Sequence, residues 1–105
     1  VRSRRLLVAT LAGWAFAAHA QDAGTLHLRS LAATCATCHG TDGHAVPASP
    51  IPGLAGRPAD ALLRDLRAFR DGSRPATVMQ QIARGYSDAQ LQQLAAYFAA
   101  QPQRQ

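Results

Sequence analysis

Apolar residues recur with a helical period in three stretches of the chain. Leu28, Leu31, Ala32 and Cys35 stand at i, i+3, i+4 and i+7, which predicts an amphipathic helix running into a pair of cysteines. Ala59, Leu62, Leu63, Leu66 and Phe69 repeat the pattern behind Pro58, a residue suited to a first helical turn, and Gly72 stands where a C-terminal glycine stop belongs. Leu91, Leu94, Ala95 and Phe98 mark a third helix. Ser87-Asp88-Ala89-Gln90 spells a capping box in front of it, and Pro102 follows its end. No segment shows the sustained alternation and β-branched content of a strand. The expected fold class is all-α.

Two connectors break this rhythm. Residues 40–56, GTDGHAVPASPIPGLAG, are too rich in Gly and Pro for a regular helix, and residues 71–79, DGSRPATVM, form a second irregular stretch. A small domain has a modest core, so loops this long must pack on something else.

The first twenty residues change what counts as the domain. VRSRRLLVATLAGWAFAAHA places Arg2, Arg4 and Arg5 before an apolar run from Leu6 to Ala18 and closes on Ala18-His19-Ala20. Basic, apolar, then small-x-small is the order of a secretory signal peptide, and the apolar run is too short to span a bilayer. Residues 1–20 are therefore expected to be a cleaved leader and residues 21–105 a single domain in the periplasm. The chain of 105 residues has a formal charge of +5; without the three leader arginines, 8 basic residues face 6 acidic ones, leaving +2. So small an excess gives no reason to expect a nucleic-acid partner.

Both cysteines lie in CATCHG, as Cys35 and Cys38, with His39 directly after the second. Zinc needs four ligands; Cys35, Cys38, His39 and His44 can be named, but neighbouring Cys38 and His39 point in different directions from a helix. A thioredoxin-type redox pair belongs near a βαβ unit, and a disulfide here would close only a tiny loop. C-x-x-C-H is the direct signature of covalent haem attachment. Cys35 and Cys38 are i, i+3, and Cys35 and His39 are i, i+4, so at a helix end all three can face one side. Two thiols then add to the haem vinyl groups while the imidazole Nε2 reaches the iron. One covalent haem c would also supply the surface that the long loops need. For the sixth iron ligand the candidates are Met79, His27 and His44, or none. Met79 is the single methionine and lies in the second irregular stretch. His27 precedes the motif on the same helix and His44 follows it by only five residues, so Met79 is the expected ligand.

With C-x-x-C-H near the start and a lone Met forty residues on, the chain resembles a class I cytochrome c, over about residues 26–101. The resemblance implies that family's small all-α fold, helices with long loops wrapped around one covalent haem. Pro52-Gly53-Leu54-Ala55-Gly56 is similar to the family's Pro-x-Leu-x-Gly segment. It implies that the Pro52 carbonyl accepts a hydrogen bond from His39 Nδ1–H, fixing the ring and raising its basicity, and that Leu54 lies on the haem face. Leu94-Ala95-Ala96-Tyr97 is similar to the family's terminal helix, whose aromatic packs across the N-terminal one. Phe69, Gly72, Arg74-Pro75, Met79, Ile82, Gly85-Tyr86 and Tyr97-Phe98 resemble more particularly the haem subunit of flavocytochrome c sulfide dehydrogenases. That implies a periplasmic FAD-containing flavoprotein as partner and a downstream electron acceptor. Arg57 departs from that pattern, standing where a helix-capping Ser is usual.

Three functions compete on these grounds. The first is an electron-transfer subunit of a sulfide-oxidising complex, with no catalysis by this chain alone. The second is a free soluble carrier of the cytochrome c4 or c5 type. The third is a small peroxidase-like haem enzyme, disfavoured because a His/Met pair fills both axial positions. Asp42 and His44 are the only residues near enough to serve a distal acid–base role, and loop solvation is expected of each. Arg64, Arg67, Arg70 and Arg74 are expected on the solvated face of the middle helix, with docking or haem-propionate pairing as alternatives.

Overall fold

The computed structural model describes the backbone of residues 17–103, with side chains from residue 23 onward. The basic start and most of the apolar run of the expected leader lie outside the described residues. The first helix, α1 (Ala17–Ala33), already spans the expected cleavage point between Ala20 and Gln21. After a break at Thr34-Cys35 come the short α2 (Ala36–His39) and a 3-10 turn at Thr41–Gly43; α3 (Ala59–Asp71), α4 (Met79–Arg84) and α5 (Asp88–Ala99) follow. Every regular element among the described residues is helical, as the pattern predicts.

Helix α5 organises the core. It packs against α1 and α3, while α4 lies on α3. Its Leu91, Leu94, Ala95 and Phe98, the four residues that predict it, are all buried, joined by Ala32 from α1 and Leu62 from α3. The capping box forms: Ser87 Oγ accepts from Gln90 N–H at 3.2 Å, and Gln90 Oε1 accepts from Ser87 N–H at 2.9 Å. Gly72 ends α3 in the left-handed conformation, φ 84°. Pro58 sits one place earlier than expected. It is the N-cap of α3 rather than part of its first turn, with ψ 135°. No side chain caps α3, because Pro58 at the N-cap has no side-chain acceptor; Arg57 before it reaches along the helix to Asp65 at 3.0 Å.

Helix α4 is absent from the sequence expectation. Met79, expected in an irregular stretch, is its first residue. Six residues without a side-chain cap are too short to be stable on their own, and packing on α3 is what stabilises them. Among the described residues no helix is long and apolar enough to cross a membrane.

Candidate functional site

The expected helix into the cysteines forms, with one interruption. Cys35 N–H still donates to Ala32 O at 3.0 Å, Thr34 bends the chain, and Cys35 becomes the N-cap of α2. Cys38 and His39 N–H both donate to Cys35 O, at 3.3 and 3.0 Å, so Cys35, Cys38 and His39 share one turn. Both cysteines are free thiols. Cys35 is half-buried against the core and Cys38 is exposed. Burial pushes the Cys35 thiol pKa up, and the Thr34 hydroxyl beside it offsets part of that.

His39 is buried, and its Nδ1 lies 2.7 Å from the Pro52 carbonyl oxygen. A carbonyl only accepts, so Nδ1 carries the proton and Nε2 is left as the free lone pair. The segment that supplies this carbonyl is itself fastened. Gly43 O accepts from Leu54 N–H at 2.8 Å and Ala55 N–H at 3.1 Å, and Gly56 N–H donates to Phe98 O at 2.9 Å. Leu54 packs against the core cluster. Residues 52–56 thus lie across the turn that follows His39, anchored to α5.

Two loop residues do more than meet solvent. Asp42 adopts a positive φ of 52° and accepts a 2.5 Å hydrogen bond from Tyr97 O–H. That bond, with burial and the carboxylate charge, raises the Tyr97 pKa. Tyr97 also stands edge-to-face on Phe98, with ring centroids 5.3 Å apart. Its structural role is as expected, with its hydroxyl pinning the turn after the motif. His44 has both ring nitrogens beside carbonyls, Nε2 at 2.6 Å from Pro102 O and Nδ1 at 3.1 Å from Thr41 O. It is engaged by the C-terminal segment and is not poised as an iron ligand or distal acid. His27 is exposed on α1.

Arg67 and Arg70 of α3 and Arg74 in the loop after it form ion pairs within the fold. Arg67 grips Asp88 with two bonds, Nε to Oδ1 at 2.8 Å and Nη2 to Oδ2 at 2.6 Å, and Arg70 adds a third at 3.0 Å. Led by the Arg67 bonds, this clamp holds the Asp88 carboxyl far below the usual carboxylate range. Arg57 and Arg74 converge on Asp65, and Arg74 also stacks 4.7 Å over the Phe69 ring. Burial alone would raise the Asp65 pKa; the two guanidinium groups outweigh it and lower it.

The arrangement suits a haem. Among the described residues no three His, Cys, Asp or Glu side chains are grouped to hold a metal ion. Two thiols and one imidazole with a fixed tautomer are the donor set of a covalently bound, iron-ligated haem. Large exposed hydrophobics stand in the loop that leads to Pro52, Val46 and Ile51, and on either side of Met79, Val78 and Ile82. An apolar macrocycle would cover such residues.

Comparison with known proteins agrees. Residues 22–98 match the family described as cytochrome C oxidase, cbb3-type, subunit III. The chain belongs to the cytochrome c family. Membership implies a covalent haem c and an electron-carrying role. The chain is 42% identical over 96 residues to a thiosulfate dehydrogenase electron acceptor of Thiomonas intermedia, covering 91% of this chain and 43% of that protein. It is 40% identical over 68 residues to the cytochrome subunit of sulfide dehydrogenase of Chlorobaculum tepidum, covering 65% of this chain and 60% of that protein. A solved cytochrome c4 of Acidithiobacillus ferrooxidans superposes with a TM-score of 0.66 at 31% identity, over 74% of this chain and 50% of that chain. This cytochrome domain thus spans less than half the length of the first of these relatives.

Proposed function

We propose that the chain is a periplasmic cytochrome domain with one haem c, held by thioether bonds to Cys35 and Cys38 and ligated by His39 and Met79. The observation that carries this reading is the 2.7 Å contact between His39 Nδ1 and Pro52 O, one residue past Cys38. It orients the imidazole with Nε2 free, as an iron ligand requires. The bound haem supplies a one-electron iron couple at a potential that a His/Met pair raises. Met79 is half-buried at the start of α4, and His44 is occupied elsewhere, which supports Met79 as the sixth ligand. Leu54, packed on the core beside Phe98, is the residue proposed to meet the haem face. Residues 1–20 are proposed as a cleaved export signal.

The proposed role is the haem subunit of a flavin-dependent sulfide dehydrogenase. Sulfide gives up electrons in pairs and this domain takes them singly, so a flavin on another polypeptide must split the pair. The likeness to the Chlorobaculum sulfide dehydrogenase subunit supports this reading. A free carrier is the second reading, favoured by the likeness to a cytochrome c4 and to a thiosulfate dehydrogenase electron acceptor. Stopped-flow reduction by sulfide, with and without a sulfide-oxidising flavoprotein, separates the two. Fast haem reduction only with the flavoprotein is expected; equal, slow reduction in both leaves the free carrier.

A further inference from the structure

The two segments proposed to ligate the iron sit on different parts of the fold. The attachment peptide follows α1, which packs on α5, whereas Met79 opens α4, which packs on α3. A direct tie joins them. The Tyr86 hydroxyl, two residues past the end of α4, lies 2.8 Å from Thr34 Oγ1, immediately before Cys35. Thr34 donates its one hydroxyl proton back to Leu31 O at 2.8 Å, so Tyr86 is the donor in this pair. Thr34 Oγ1 in turn stands 3.9 Å from Cys35 Sγ. Tyr86 is itself half-buried and packed on the core cluster beside Cys35. Its position relative to α4 is set by Gly85 N–H on Ile82 O at 3.0 Å and Tyr86 N–H on Ala83 O at 3.3 Å.

The geometry points to Tyr86 as a positioning residue: its O–H bond to Thr34 latches the Met79 segment onto the attachment peptide and so holds Met79 on the iron. This rests on the reading of Met79 as the sixth ligand. The latch is poised to matter because α4 is short, and of its six residues only Ala83 is buried. Such a segment opens locally at low cost, and one well-placed hydrogen bond is a sizeable part of what keeps it closed. Displacing Met79 from the iron carries the segment away and breaks the Tyr86–Thr34 bond with it.

The test is imidazole binding to the oxidised, haem-loaded chain, read by loss of the sulfur-to-iron charge-transfer band. Tyr86→Phe keeps the ring and removes only the donor; Thr34→Val removes the acceptor. Each is expected to raise the apparent imidazole affinity about two- to tenfold, the worth of one net hydrogen bond. The double variant is expected to gain no more than either single one, and Thr34→Ser to restore the wild-type value. Global unfolding by guanidinium, measured alongside, separates a latch from general support. Unchanged imidazole affinity in Tyr86→Phe, with the band intact, overturns the latch and leaves Met79 in place, even if unfolding shifts. A band that survives in Met79→Ala overturns the ligand assignment and the latch together.

Discussion

Alanine in place of Gly43 is expected to be among the most disruptive small changes in this domain. Gly43 has φ +79°, a conformation that costs a residue with a Cβ about 1–2 kcal/mol. A Cβ there would meet Phe98 Cδ1 at 2.8 Å, Ala55 N at 2.9 Å and Leu54 Cβ at 2.9 Å. One of these is a ring edge held in the core and the other two belong to a segment pinned by Gly43's own carbonyl, so none yields without moving the loop. Overpacking of this kind costs about 1–3 kcal/mol, which brings the total to about 2–5 kcal/mol. That is a large share of the roughly 5–10 kcal/mol that stabilises a small domain. The displacement also draws Pro52 away from His39. Gly24 is the internal control. It is the fourth residue of the proposed mature chain, with nothing within 4 Å of its would-be Cβ, so alanine there meets no clash and is expected to change stability by well under about 1 kcal/mol. Guanidinium denaturation of both haem-loaded variants, followed by circular dichroism, gives the two values directly. A Gly43→Ala loss below about 1 kcal/mol, or one no larger than that of Gly24→Ala, would refute the packing derived for the turn after His39.

Three further outcomes are expected. Cys35→Ser and Cys38→Ser should each leave one thioether, seen as a red-shifted pyridine haemochrome band, and the double variant should release its haem to acid–acetone. Met79→Ala should abolish the sulfur-to-iron charge-transfer band and lower the reduction potential in equilibrium titration, because thioether ligation favours the reduced iron. Asp65 and Asp88 have folded-state pKa values below the unfolded value of about 3.9, so their ion pairs stabilise fully above about pH 5 and are lost as the pH falls through the folded values. Acid titration of stability should therefore fall less steeply in Arg67→Gln and Arg74→Gln than in the parent chain.

Local order is legible along the chain. The four apolar residues of α5, its Ser87–Gln90 capping box and the Gly72 stop are legible because each acts within one or two turns of its own helix. The same holds for Cys35, Cys38 and His39, whose spacing alone brings them onto one turn. The Pro52 carbonyl on His39 became an expectation only through the family resemblance, and the structure places it there across thirteen residues. Everything decided by contact between distant segments needed the tertiary structure. Helix α4 carries no cap or long apolar stripe of its own and exists because α3 gives it a surface. Of the four arginines that read as a solvated face, Arg67 and Arg70 pair with Asp88 and Arg74 with Asp65 while staying partly exposed, and Arg57, where a capping Ser is usual, joins the pair at Asp65. Asp42 and His44 read as loop residues because Tyr97 and the Pro102 carbonyl lie 55 and 58 residues away along the chain. Helical period and capping act over a few residues and leave a mark in composition. A hydrogen bond or ion pair across the fold depends on where two backbones arrive, which neither partner's neighbours encode.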